Sequence, residues 1–202
     1  LPSSLSIINH NLFFACTSLT NVSIPSSVTE IRSYAFKDCT ALTALDLSNF
    51  DTRNVTEMSS LANNGNYYGM FFECKKLATL KLGANFKTDK VTNMARMFDS
   101  CEVLTAVDVS DWNTSNVTDM QRMFRHCYAL TSLNVSGFDT GNVTNMQSMF
   151  STCEKVQALD VSHFNTSKVT NMRKMFAHCL LLTELDVSDF DTHNVTNMAG
   201  MF

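Results

Sequence analysis

Cys127-Tyr-Ala-Leu130-Thr-Ser-Leu133-Asn-Val135-Ser-Gly-Phe138-Asp-Thr-Gly-Asn-Val143-Thr-Asn-Met146-Gln-Ser-Met149-Phe150-Ser-Thr152 is one of several near-copies laid end to end. The copies at 101–126 and 153–178 carry the same frame. The seven cysteines, at 16, 39, 74, 101, 127, 153 and 179, are spaced by 23, 35, 27, 26, 26 and 26 residues. An odd number cannot pair completely, and one Cys per fixed period is what a repeat array produces. All 12 Met fall in Met-x-x-Met-Phe or in one split version, Met58 and Met70. The split pair is nine residues too far apart, as is the 35-residue Cys spacing, so a nine-residue insertion lies within 59–69. The 27-residue spacing needs one more residue, and Gly83-Ala84-Asn85 supplies it.

Each unit has two apolar patterns. Leu45/Leu47, Leu80/Leu82, Val107/Val109, Leu133/Val135, Leu159/Val161 and Leu185/Val187 alternate with polar residues, as in a short strand with one buried face. Phe50, Trp112, Phe138, Phe164 and Phe190 follow three residues later, and Phe86 four because of the extra residue, and all should turn inward. Met-x-x-Met-Phe-x-x-Cys places apolar residues at i, i+3, i+4 and i+7, one face of a short helix, with Thr-Asn or Thr-Asp before it as N-cap. One unit cannot bury its apolar face alone, but stacked units can. At about 4.8 Å per strand, eight or so units give a sheet roughly 35–40 Å long. The expected fold is therefore an α/β solenoid over residues 1–202, with parallel strands on one face and short helices on the other. Residues 1–38 carry 23-residue units and 39–202 carry 26-residue units. Both ends fall inside a unit, the pattern expected of a piece of a longer protein.

Composition narrows the function classes. Fifteen basic against 19 acidic residues, net −4, leave no basic excess for nucleic acid and no polybasic membrane segment. Apolar runs reach about five residues, far short of the roughly 20 that a membrane-spanning helix needs. No Cys has a second Cys or a His at ligand spacing within its unit, so the column reads as buried thiols and the Met column as core. No cofactor is implied. His10, His126, His163, His178 and His193 sit at scattered repeat positions, and no Ser/His/Asp or Cys/His set stands out. The Asn-x-Thr sequons and the Thr columns come with the repeat. The chain reads as non-enzymatic.

Two surface features remain. Asp46, Lys81, Asp108, Asn134, Asp160 and Asp186 occupy the solvent position between the buried strand residues, with Ser48, Gly83, Ser110, Ser136, Ser162 and Ser188 two residues on. Stacked carboxylates repel; Ser and Thr hydroxyls, a cation or a basic partner must accommodate them. Arg96, Arg122, Arg125, Arg173 and Lys174 make the helical side more basic. The insertion carries Asn63-Asn64-Gly65-Asn66-Tyr67-Tyr68, and Tyr67 and Tyr68 are candidate contact residues because tyrosine offers large contact area at low entropic cost.

Ile24-Pro-Ser-Ser-Val-Thr-Glu-Ile with Ala35-Phe36-x-x-Cys39 resembles the Treponema-type leucine-rich repeat. The 26-residue units, such as Phe138 to Phe150, are similar to the repeat of BspA-like surface proteins. That resemblance implies a leucine-rich-repeat solenoid on bacterial secreted or cell-surface proteins. It also implies adhesion to a host or neighbouring-cell surface or extracellular-matrix protein. The alternative is a structural spacer that displays another domain.

Overall fold

A computed structural model describes residues 1–25, 27–28, 30–31, 34–62 and 65–202. Its apolar interior is one continuous cluster running from Ile8 to Met201. Strands β1 (Ile7–Ile8) and β2 (Glu30–Ile31) pair in parallel. So do β3 (Ala44–Leu47) and β6 (Thr79–Leu82), with Leu45 opposite Leu80 and Leu47 opposite Leu82. Beyond β6 the alternation persists as burial: Val107, Val109, Leu133, Val135, Leu159 and Val161 are all buried. Among the described residues there, regular pairing on this side shrinks to the bridge Ala158–Glu184. Phe50, Phe86, Trp112, Phe138 and Phe164 turn inward as expected, each at most 4% exposed, while Phe190 in the last such position is half-buried.

The short helices expected over Met-x-x-Met-Phe-x-x-Cys are absent among the described residues; the segment is a run of overlapping tight turns. The unit from Met120 to Cys127 shows why. Met123 N–H donates to Met120 O, Arg125 N–H to Arg122 O and Cys127 N–H to Phe124 O, each closing a turn. The alternate amides of Met120, Arg122, Phe124 and His126 donate instead to Asn145, Gln147, Met149 and Ser151 of the next unit, at 2.8–3.0 Å. Gln121 N–H is taken by Asp119 Oδ1 at 2.8 Å. Every amide in the segment is thus satisfied, half of them by a neighbour that a free-standing helix would not have. Eight residues are too few for a stable helix in isolation, whereas the neighbouring unit supplies its bonds at fixed spacing. Arg122 and His126 hold φ of 56° and 59°, which aims the following peptides along the array. Left-handed backbone costs a non-glycine residue about 1 kcal/mol, and Gly200 occupies the corresponding place in the last unit.

Four columns run through the stack. Phe13, Phe36, Phe71, Phe98, Phe124, Phe150, Phe176 and Phe202 stack face to face, with centroids 5.0–6.2 Å apart and planes within 13°. The thiols of Cys39, Cys74, Cys101, Cys127, Cys153 and Cys179 donate to the carbonyls of Phe13, Phe36, Phe71, Phe98, Phe124 and Phe150 at 3.0–3.3 Å. Burial pushes their pKa up, to about 11 for Cys39 and Cys179. The buried hydroxyls of Thr88, Thr114, Thr140 and Thr166 donate to carbonyls of the following unit at 2.8–3.0 Å.

The residue before the first Met forms the fourth column, linked by parallel bridges Glu57–Asn93–Asp119–Asn145–Asn171–Asn197. Asn93, Asn145, Asn171 and Asn197 each accept the amide two residues on, as the expected cap would, but they cap a turn. Asp119 does the same with a charged group, and burial raises its pKa despite the bonds from Gln121. A raised folded-state pKa means that the ionised form disfavours folding above that pKa. Asp119→Asn, which copies the neighbouring units, is therefore expected to stabilise the fold by about 1 kcal/mol at pH 7. The gain should vanish as the pH falls through the Asp119 pKa; urea midpoints at pH 7 and pH 4 check it.

Candidate functional site

The strand-side acids stand where the sequence places them. Asp46, Asp108, Asn134, Asp160 and Asp186 are all exposed. Each turns its Oδ1 back to its own chain, accepting the amide of the residue two on: Ser48, Ser110, Ser136, Ser162 or Ser188, at 2.9–3.1 Å. The hydroxyls of Ser110, Ser162 and Ser188 add a second bond at 2.7 Å. Lys81 Nζ reaches Asp46 Oδ2 at 3.2 Å. Serine side chains are thus what accommodate the carboxylates within the chain. These hydrogen bonds hold Asp108, Asp160 and Asp186 below the ordinary carboxylate range, and Ser48 with Lys81 holds Asp46 down to about 2. Their contribution to folding is present above the unfolded carboxylate pKa and is lost as the pH falls through the lowered folded value. At neutral pH the row is ionised and its orientation is fixed by short-range bonds.

The insertion is a β-hairpin. Strand β4 (Ser59–Leu61) pairs antiparallel with β5 (Tyr67–Gly69), and Met70 N–H donates to Met58 O at 3.0 Å. The split Met pair is thereby brought back together, both residues fully buried. Asn63 and Asn64 lie outside the described residues. Gly69 allows the hairpin base to press on the next unit: a Cβ there would sit 2.3 Å from Met97 Cα. Tyr67 pairs with Leu61, which is 58% exposed. Tyr68 lies against the turn side and not against the acid row. Its ring is 5.0 Å from Phe72 and 6.3 Å from Tyr34, with Lys37 Nζ at 4.4 Å and Arg96 Cζ at 5.7 Å. Asn11, Phe14, Tyr34, Lys37, Leu61 and Tyr68 line an open cleft beside it.

The turn side is less basic than the row of cations suggests, because Asp99 neutralises part of it. This carboxylate is fully buried. Arg125 Nε donates to its Oδ1 at 2.9 Å, Ser100 Oγ lies at 3.3 Å, and Arg96 Nε stands 3.8 Å from Oδ2. Burial raises the Asp99 pKa, opposed chiefly by Arg125. His126 stacks on Tyr128 at 5.6 Å, and burial, then Arg125 and Lys75, lowers its pKa. The sequence carried a signal for this cluster. Column neighbours Lys37, Phe72, Asp99, Arg125, Ser151 and Ala177 contain one acid directly before one arginine. Among the described residues, no three His, Cys, Asp or Glu converge as a metal-ligand group, and no helix is long and apolar enough to cross a membrane.

These features define a leucine-rich-repeat solenoid whose exposed chemistry is a locked acid row and an aromatic hairpin. The chain belongs to the family described as "Mycoplasma protein of unknown function, DUF285", which it matches over residues 10–67, 30–157 and 130–202. Its fold is similar to the crystal structure of a leucine-rich repeat protein from Eubacterium ventriosum, at 19% identity and a TM-score of 0.56. That match covers 96% of this chain and 45% of the other, so the chain spans under half of that protein's length. A T. pallidum leucine-rich repeat protein matches at 18% identity and a TM-score of 0.40, over 82% of this chain and 76% of its own. No curated protein sequence matches the chain.

Proposed function

We propose that the chain is a non-catalytic protein-binding module of the adhesion type, carried by a secreted or cell-surface protein. It engages a host or neighbouring-cell surface or matrix protein. The observation that carries this reading is the acid row. Carboxylates at Asp46, Asp108, Asp160 and Asp186 fill four of the six equivalent positions, with Lys81 and Asn134 in the other two; they are exposed and are oriented in advance by their own serines. Fixed charges in register steer a complementary surface and cost little ordering entropy on binding. The hairpin with Tyr67 and Tyr68 is a second contact. The resemblance of the 26-residue unit to the BspA-like repeat supports the surface location and the adhesive role.

Two triple variants test the row against immobilised extracellular-matrix and cell-surface proteins. Asp108→Asn/Asp160→Asn/Asp186→Asn keeps the Oδ1 acceptor, as Asn134 already does, and removes the charge. The corresponding Lys variant reverses it. Affinity is expected to fall about ten-fold or more for the Asn set and further for the Lys set, mostly at low salt. Unchanged affinity in both sets would remove the acid row from the binding surface. Retention of no protein at all by the wild-type chain would favour the spacer.

A further inference from the structure

We propose that the nine-residue insertion is a staple that joins the 23-residue units to the 26-residue units, so that the two blocks unfold together. This goes beyond the binding role and does not depend on it. The insertion lies in the first 26-residue unit, beside the place where the period changes. The Phe column marks that place physically: the step from Phe36 to Phe71 is 6.2 Å, the widest in the column. The main chain crosses it by Phe36 N–H to Met70 O at 3.2 Å and Asp38 N–H to Phe72 O at 2.8 Å.

The hairpin adds contacts over this step. Lys37 Nζ lies 4.4 Å from the ring centres of both Phe14 and Tyr68 and 5.6 Å from Phe72, and it pairs with Asp38. Arg96 Cζ lies 5.7 Å from Tyr68 and 5.5 Å from Phe72. Phe14, Lys37, Tyr68 with Phe72, and Arg96 come from four consecutive units. In a solenoid, stability is the sum of unit and interface terms, so a weak interface lets the blocks on either side melt separately. Cation–π contacts at partly desolvated sites change such an equilibrium by about ten-fold each.

Residue-resolved amide exchange on the full chain tests the staple without any partner. Deleting 60–68 leaves Met58-Ser59-Gly69-Met70, the Met-x-x-Met spacing of the other units. Lys37→Met keeps the aliphatic stem and removes the cation. Both changes are expected to speed exchange of the Phe13 and Ala15 amides about ten-fold, with the Arg122 and Phe124 amides unchanged. Lys37→Arg should restore slow exchange. Should the deletion fail to fold, Tyr68→Ala, which removes the hairpin's ring and leaves Lys37 on Phe14, decides alone. Unchanged exchange at Phe13 and Ala15, or an equal acceleration throughout the array, would overturn the staple.

Discussion

Phe124→Ala is expected to lower the stability of the array by about 3–5 kcal/mol. Phe124 is fully buried and stacks on Phe98 at 5.4 Å and on Phe150 at 6.0 Å. Truncation removes the transfer energy of one ring and leaves a void bounded by two others, which the fixed unit spacing prevents from collapsing. The total stability of a domain is about 5–15 kcal/mol, so the loss is a large share of it. Phe202→Ala in the same column should cost under about 1 kcal/mol, because that ring is 71% exposed. The single Trp112, buried against Phe86 at 5.7 Å and Phe98 at 6.2 Å, reports the transition in urea by its fluorescence. Similar midpoints for the two variants would contradict the stacked column.

Arg125→Ala is expected to cost about 3–5 kcal/mol at pH 7, far more than Asp99→Ser. The asymmetry follows from burial. Asp99 is fully enclosed, and without Arg125 its carboxylate loses the 2.9 Å donor that offsets its desolvation. Arg125 keeps 25% of its side chain in solvent and can turn outward when Asp99 is removed. Asp99→Ser/Arg125→Ser, which extends the serine found at Ser151, should recover most of the loss. Removing Arg125 raises the Asp99 pKa further, so the variant should regain stability as the pH is lowered and Asp99 takes up a proton. Urea midpoints at successively lower pH measure it; a deficit that does not change with pH would show that Asp99 is not the unpaired group.

What was legible in the sequence was whatever recurs. Cys, Met and Phe at constant spacing gave the stack, its period and its core, and Phe124 and Cys127 lie where the column reading puts them. The acid row was legible together with its serines, because both recur at a fixed offset. The helix was not distinguishable from the run of turns: apolar residues at i, i+3, i+4 and i+7 line one side of either. The difference lies in left-handed backbone at Arg96, Ser100, Arg122, His126, Ser148, Thr152, Lys174 and His178, residues that do not advertise it. Stacking enforces that conformation through the next unit's carbonyls. Asp99 escaped notice because its column varies, and the partner that matters stands 26 residues away. The insertion within 59–69 was legible as a loop from the broken spacing, but its hairpin pairing and its packing on Lys37 and Arg96 join residues that no local pattern connects.

Amide-to-carbonyl bonds between successive units hold the ladder of turns, and one measurement reaches them directly. Scalar couplings across hydrogen bonds, detected by NMR between amide nitrogens and carbonyl carbons, identify the acceptor of each amide. The Arg122 amide should couple to the Gln147 carbonyl, and Phe124 to Met149, each in the next unit. Coupling of Arg122 to Thr118 and of Phe124 to Met120, four residues back, would mean helices and would contradict the stacked-turn solenoid.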